Sequence, residues 1–134
     1  MQTFLPYSNI KKSLKVLDSQ RLGKQRVEAF QILNVILKRT KTKGWKNHPA
    51  VKMWKNNPNA LKLYFNSAVS EWISRGYVNN MKLEKIRGKI IMPKWFGSKR
   101  FHSSHRSNLL KKNKKYYSQF NWKESPNLEY FWPK

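Results

Sequence analysis

The sequence predicts an all-α fold: one compact domain over residues 1–134, with three main helices, short helices between them and long basic and aromatic loops. Three observations predict it. Apolar residues recur with helical period over residues 18–39, 58–75 and 99–111. A capping residue followed by proline, the arrangement that starts helices, stands at Asn47-His48-Pro49 and again at Asn57-Pro58. With 39% hydrophobic and 14% aromatic residues in 134, the chain can bury a real core despite its charge.

In chain order, Thr3-Phe4-Leu5-Pro6 reads as a short extended segment. A turn at Tyr7-Ser8-Asn9 leads into a short helix near residues 10–17, with Ser8 as its cap. The central helix follows. Asp18 can accept a first-turn N–H there, and Leu22, Ala29, Phe30, Ile32, Leu33, Ile36 and Leu37 share one arc of about 160°. Arg21, Gln25 and Glu28 lie along one border of that arc. Gly23 is its weak point, costing about 1 kcal/mol relative to alanine, and marks either a close approach or a neutral accident.

Residues 38–46 form a basic loop around Trp45. Basic residues such as Lys46 beside an aromatic suit phosphate contact with base stacking; the alternative is a solvated loop with Trp45 tucked inward. A short helix starts at His48-Pro49 and buries Val51 and Trp54. The next turns Leu61, Tyr64, Phe65, Ala68, Trp72 and Ile73 inward and ends at Gly76, where a left-handed residue is wanted. Glu71 and Arg75 form an i,i+4 pair on it. Residues 77–99, with Gly88, Pro93 and Gly97, read as a long loop holding at most a short helix or extended piece. A last helix near 99–111 carries His102, His105 and Arg106, and the aromatic tail through Trp122, Tyr130, Phe131 and Trp132 packs back on the helices.

The charge balance, 29 Lys+Arg against 6 Asp+Glu for a net +23, calls for a polyanionic partner. Nucleic acid suits it. A membrane does not, since no helix keeps a free apolar face for lipid and no apolar run approaches about 20 residues. The first residues do not form a signal peptide, so an intracellular, DNA-associated location is expected. The absence of cysteine removes disulfides, thiol nucleophiles and cysteine-type zinc sites. His48, His102 and His105 lack a firm third-ligand spacing, so no metal and no cofactor is expected; phosphate contacts or hydrogen bonds that hold the loops, with Arg106, suit them better.

The carboxylate of Glu28 is out of place among Arg21, Lys24 and Arg26, because it repels the ligand those cations attract. It is either half of a helix pair with Lys24 or a catalytic group retained despite that cost.

The order of segments resembles the phage endonuclease V type of pyrimidine-dimer DNA glycosylase and AP lyase. That family has Asp-Gln-His-Leu and then Glu-Tyr-Arg-Glu at the start of its first long helix; here Ser19-Gln20-Arg21-Leu22 and Gln25-Arg26-Val27-Glu28 stand in those places. Its Gly-His, Phe-Tyr and Arg-Gly-Phe elements are matched in order by Asn47-His48, Met53-Trp54 and Arg75-Gly76-Tyr77. A last helix with His and Ser before a Tyr-Tyr pair is matched by residues 101–110 and Tyr116-Tyr117. Small proteins grouped with this family also begin Met-Gln-Thr-Phe-Leu-Pro.

The resemblance implies an all-helical domain laid against DNA and a mechanism in which a neutral amine attacks C1′, expels the base and forms a Schiff base before β-elimination. It places the proton-handling carboxylate at Glu28 and DNA contacts near Arg21 and Arg26, with Lys24, Gln25, Trp45, Lys46, His48, His102, His105 and Arg106 as further candidate contacts. The family's amine belongs to a threonine exposed by methionine removal. Here Gln2 is too large for the usual removal, so the amine of Met1, or a lysine such as Lys24, would serve, or the lyase step is lost. The expectation is therefore a glycosylase, with or without lyase activity, on damaged double-stranded DNA. The alternative is a non-enzymatic basic protein that condenses or packages DNA, and an RNA-directed role is a weaker third.

Overall fold

The computed structural model describes residues 1–40 and 44–133, apart from the side chain of Trp45. Its helices are α1 (Ile10–Lys15), α2 (Ser19–Ile36), α3 (Pro49–Trp54), α4 (Pro58–Ser74), α5 (Lys99–Lys112) and α6 (Lys114–Tyr117), with 3-10 turns at Gly44–Asn47 and Ser118–Phe120. The all-α expectation holds, with α2, α4 and α5 as the three main helices.

Each boundary has a local cause. Asn9 rather than Ser8 caps α1, its side chain accepting the Lys12 N–H at 2.9 Å. That helix ends at Lys15, two residues earlier than expected. Asp18 caps α2 as expected. The far end of α2 falls at Ile36 rather than Arg39, because Lys38 takes a left-handed φ of 57°. The Arg39 N–H then bonds back to Asn34 O at 2.8 Å and the Lys38 N–H to Val35 O at 3.2 Å, which closes the last turn. Gly76, at φ 89°, closes α4 in the same way, with its N–H on Ile73 O at 2.9 Å. His48 caps α3 through Nδ1, and Pro49 follows it. Asn57 stands at the N-cap of α4, but its side chain makes no cap; it donates to Ile91 O instead.

The apolar faces of α2 and α4 meet along the centre of the molecule, with Leu22, Ala29, Ile32 and Leu33 on one side and Leu61, Phe65, Ala68 and Val69 on the other. Fully burying side chains of this size contributes about 1.5–3 kcal/mol each. Helix α1 lies on another flank of α4, and Arg75 ties the two by donating to Leu14 O and Lys15 O. Phe101, Leu109, Leu110 and Tyr117 extend the same core, and Trp122, Phe131 and Trp132 pack against it, as expected of the tail.

Residues 77–98 contain no helix. Residues 84–91 run as an extended strap across the back of α4, hung on side chains: Asn59 donates to Arg87 O and Lys89 O, and Asn66 both donates to Glu84 O and accepts its N–H. No helix is long and apolar enough to cross a membrane among the described residues.

Candidate functional site

Residues 2–6 are extended but pair with no strand, so side chains must satisfy their backbone groups. Gln25 does most of this. Its Oε1 accepts the Phe4 N–H at 2.9 Å, and its Nε2 donates to Gln2 O at 3.1 Å. The Tyr64 hydroxyl donates to the same Oε1 and to Phe4 O. Trp54 Nε1 donates to Thr3 Oγ1 at 3.0 Å, and Arg106 donates to Pro6 O at 2.7 Å. His105 Nδ1 accepts the Leu5 N–H at 2.9 Å, while His102 Nδ1 lies 2.7 Å from Leu5 O. The Gly97 N–H donates to His102 Nε2, so the proton of His102 sits on Nδ1 and its ring is neutral.

This grip fixes where the chain begins. Gln25 Nε2 also donates to Glu28 Oε2 at 3.0 Å, so one amide joins the first residues to the carboxylate. Four of the six carboxylates are held by arginine: Asp18 by Arg21, Glu71 by Arg75, Glu84 by Arg39 and Glu124 by Arg106. Glu129 is exposed. Glu28, partly buried, forms no ion pair within 4 Å among the described residues, and Lys24 one turn away acts on it only through its charge. Burial raises the Glu28 carboxyl above its ordinary range, against the downward pull of the Met1 α-amine, Lys24, the Gln25 amide and Lys112.

Beside Glu28 lies a pocket of about 150 Å³ lined by Gln2, Gln20, Arg21, Lys24, Gln25 and Lys112. Across the α2 ridge is a second hollow of about 540 Å³ with Gly23, Val27 and Trp72 in its wall and Glu28 again at its edge. Gly23 is thus a close-approach position, since a Cβ there would lie 3.0 Å from the Trp72 ring. The ring is fixed from its other sides: the Arg26 guanidinium sits 4.3 Å from its centroid, Tyr77 stacks at 4.3 Å, and Nε1 donates to Val78 O.

His48 stands near the same α-amine. Burial first, then the charge of that amine, lowers its pKa. The tail adds Trp132, whose ring meets His48 edge-on at 6.1 Å, and Tyr130, whose hydroxyl lies beside the Gln2 side chain without reaching hydrogen-bond geometry.

Arg21, Lys24, Gln25 and Glu28 therefore gather at one pocket, and the Met1 α-amine lies within electrostatic reach of both Glu28 and His48. Arg26 faces Trp72 instead, donating to Asn79. Gln25 is 1% exposed, which corrects its reading as a solvated DNA contact: it is a buried tie. Of the two readings of His102, His105 and Arg106, phosphate contact or holding the loops, their hydrogen bonds fit the second. The two rings are buried and hold Leu5, and the Arg106 guanidinium is committed to Pro6 O and Glu124. Lys46 is exposed away from these contacts, and the Trp45 side chain lies outside the described residues. Sequence reasoning missed Lys112, Trp72, Tyr64 and Tyr130 as members of the site. Only the inward spacing of Tyr64 and Trp72 gave any sign. Among the described residues, no three His, Asp or Glu side chains form a group that could hold a metal ion.

A sequence model of the family described as pyrimidine dimer DNA glycosylase matches residues 1–85. The match takes in Gln25, Glu28 and the whole of α1 to α4, and stops before α5 and the tail. No curated protein and no solved structure matches the chain.

Proposed function

Because the chain belongs to the pyrimidine dimer DNA glycosylase family, we propose that it removes damaged bases from double-stranded DNA at the Glu28 pocket, with the α-amine of Met1 as nucleophile. One observation carries this reading: Glu28 is the half-buried carboxylate that no arginine or lysine among the described residues claims, and it lies within electrostatic reach of that amine. Thr3 is a poor source of the amine, since it is fully buried and bonded to Trp54.

In the proposed reaction the neutral amine attacks C1′ of the damaged nucleotide. The N-glycosidic bond breaks, and its electron pair leaves with the base. Glu28 takes the proton that the amine loses and stabilises positive character on the sugar. The C1′–O4′ bond then breaks as Glu28 gives that proton to O4′ and the sugar ring opens. The resulting Schiff base permits β-elimination, in which the C2′ proton departs and the C3′–O bond breaks with the 3′-phosphate as leaving group. Arg21, Lys24 and Lys112 around the pocket suit the flanking phosphates. The hollow beside Trp72 offers an aromatic wall to a nucleotide displaced from the stack.

The test is an ultraviolet-irradiated duplex incubated with and without borohydride. A covalent adduct mapping to Met1 supports the reading. An adduct on Lys24 moves the nucleophile, and strand nicking or base release without any adduct removes the Schiff base. Failure of Glu28→Gln to reduce base release would leave a basic DNA-binding protein on this scaffold, the reading that the +23 charge favours most directly.

A further inference from the structure

The cations far from Glu28 are not explained by that site. Helix α4 separates two faces. Tyr64 points to Gln25 and Phe4, beneath the Glu28 pocket, whereas Asn59, Lys62 and Asn66, which hold the strap, lie about 140–160° round the helix from it. Between the strap side and α1 runs a groove of about 960 Å³, which shares no lining residue with either hollow at Glu28. Lys11, Lys12 and Lys15 form one wall. Ser67 and Ser70 line the other, and their hydroxyls make no hydrogen bond among the described residues. The strap continues the same face with exposed Lys85 and Lys89.

The carboxylates of this face are neutralised. Glu71 in the groove is held by Arg75 Nε at 2.9 Å, and Glu84 in the strap by two bonds from Arg39. Every ion pair among the described residues uses arginine, so the lysines here keep their full charge for an outside partner. Ammonium groups outside any ion pair among the described residues, one of them (Lys12) over the Tyr7 ring, face free hydroxyls and suit a phosphodiester backbone, which accepts both kinds of hydrogen bond. From Ser67 to Ser74 the wall is about 10 Å long, roughly three base-pair steps of a duplex.

We propose that the α1–α4 groove and the adjoining strap bind the backbone of a second DNA duplex, so that a single molecule bridges two duplex segments. The face then lets the protein pass between segments without full release. This inference rests on DNA as the family's substrate and is independent of the chemistry at Glu28.

The test uses the full chain, an undamaged duplex held on beads and a second, fluorescent duplex in solution. Wild-type protein should retain the second duplex on the beads, with a steep loss on adding salt. The variant Lys11→Glu/Lys15→Glu/Lys85→Glu, all at exposed positions, should lose at least about tenfold in retention while its affinity for one short duplex changes less than about threefold. Replacing the same lysines by arginine should preserve bridging, and Glu28→Gln should bridge as wild type whatever becomes of base excision. The proposal is overturned if wild type retains no second duplex, or if the glutamate variant bridges undiminished, as self-association would give. It is equally overturned if that variant loses single-duplex affinity in step with bridging, which would make the face part of one footprint.

Discussion

Gln25 donates from Nε2 to Glu28 at 3.0 Å while its Oε1 accepts the backbone N–H of Phe4, so one buried amide aligns the start of the chain with the carboxylate. A hydrogen bond alone contributes modestly, but the Phe4 N–H that it satisfies is buried and has no other partner. Gln25→Ala leaves the Phe4 N–H unmatched and the Tyr64 hydroxyl with Phe4 O alone. The expected loss is about 2–4 kcal/mol in urea titration. The loss should come with weaker amide-exchange protection at Phe4 and Leu5; an unchanged pattern there would mean that the segment is held without this residue.

Glu28→Gln should behave differently. The substituted side chain still accepts from Gln25, so the fold is retained, while base excision falls at least about 100-fold. Burial raises the folded pKa of Glu28, so the folded protein holds this proton to higher pH than the unfolded chain does. Stability from the group is full below the ordinary carboxyl range and is lost as pH rises through the folded pKa. At pH 7 the variant should therefore unfold at the same denaturant concentration as wild type or a higher one. A clear destabilisation would show that Glu28 holds the fold.

Much of this architecture was legible because helix signals are local. Asp18, Pro49 and Gly76 each act within a turn of where they stand. The end of α2 was not legible, since a lysine supplies the left-handed residue there. Gln25 was misplaced by its polarity: at 100° per residue it falls about 60° from Leu22, inside the apolar arc. The strap has no period because its partners are asparagine side chains of α4 rather than a strand. The isolation of Glu28 became visible only once tertiary structure had given Arg39 to Glu84 and Arg106 to Glu124. The same long-range logic decides between the two readings of His102 and His105, phosphate contacts or hydrogen bonds that hold the loops, in favour of internal clips.

Gly23→Ala sets helix propensity against packing. Alanine gains about 1 kcal/mol inside a helix, but its Cβ meets a Trp72 ring already confined by Arg26, Tyr77 and Val78 O. Overpacking of this kind costs about 1–3 kcal/mol. The expected outcome is a net loss near 1 kcal/mol with a shift in tryptophan emission, and a gain in stability would mean that the ring yields.

The histidine clips make the N-terminal segment sensitive to acid. His105 is fully buried among Phe101 at 4.2 Å, Tyr130 at 4.7 Å and Phe4 at 6.1 Å, and burial, then the nearby His102, lowers its pKa well below the ordinary value. His102 is lowered too, by burial and by Arg106, although its bond to Leu5 O works the other way. For a base whose folded pKa is depressed, the unfolded chain binds the proton first. Stability is then full above the unfolded value near pH 6.5 and falls as pH drops below it, by at most about 1.4 kcal/mol per pH unit per histidine. Glu84 and Glu124, held low by their arginines, add only a small slope of the same sense near pH 5, where the unfolded carboxyls begin to protonate. Glu28 slopes in the opposite sense, so the measurement belongs in the Glu28→Gln background. There, urea midpoints at pH 7, 6 and 5 should fall steadily. Adding His105→Gln, which keeps an acceptor for the Leu5 N–H but cannot take the proton, should lower the pH 7 value and flatten the decline. A slope unchanged by His105→Gln would assign the acid sensitivity to His102 or to groups elsewhere, and the clip on Leu5 would then be a passive contact.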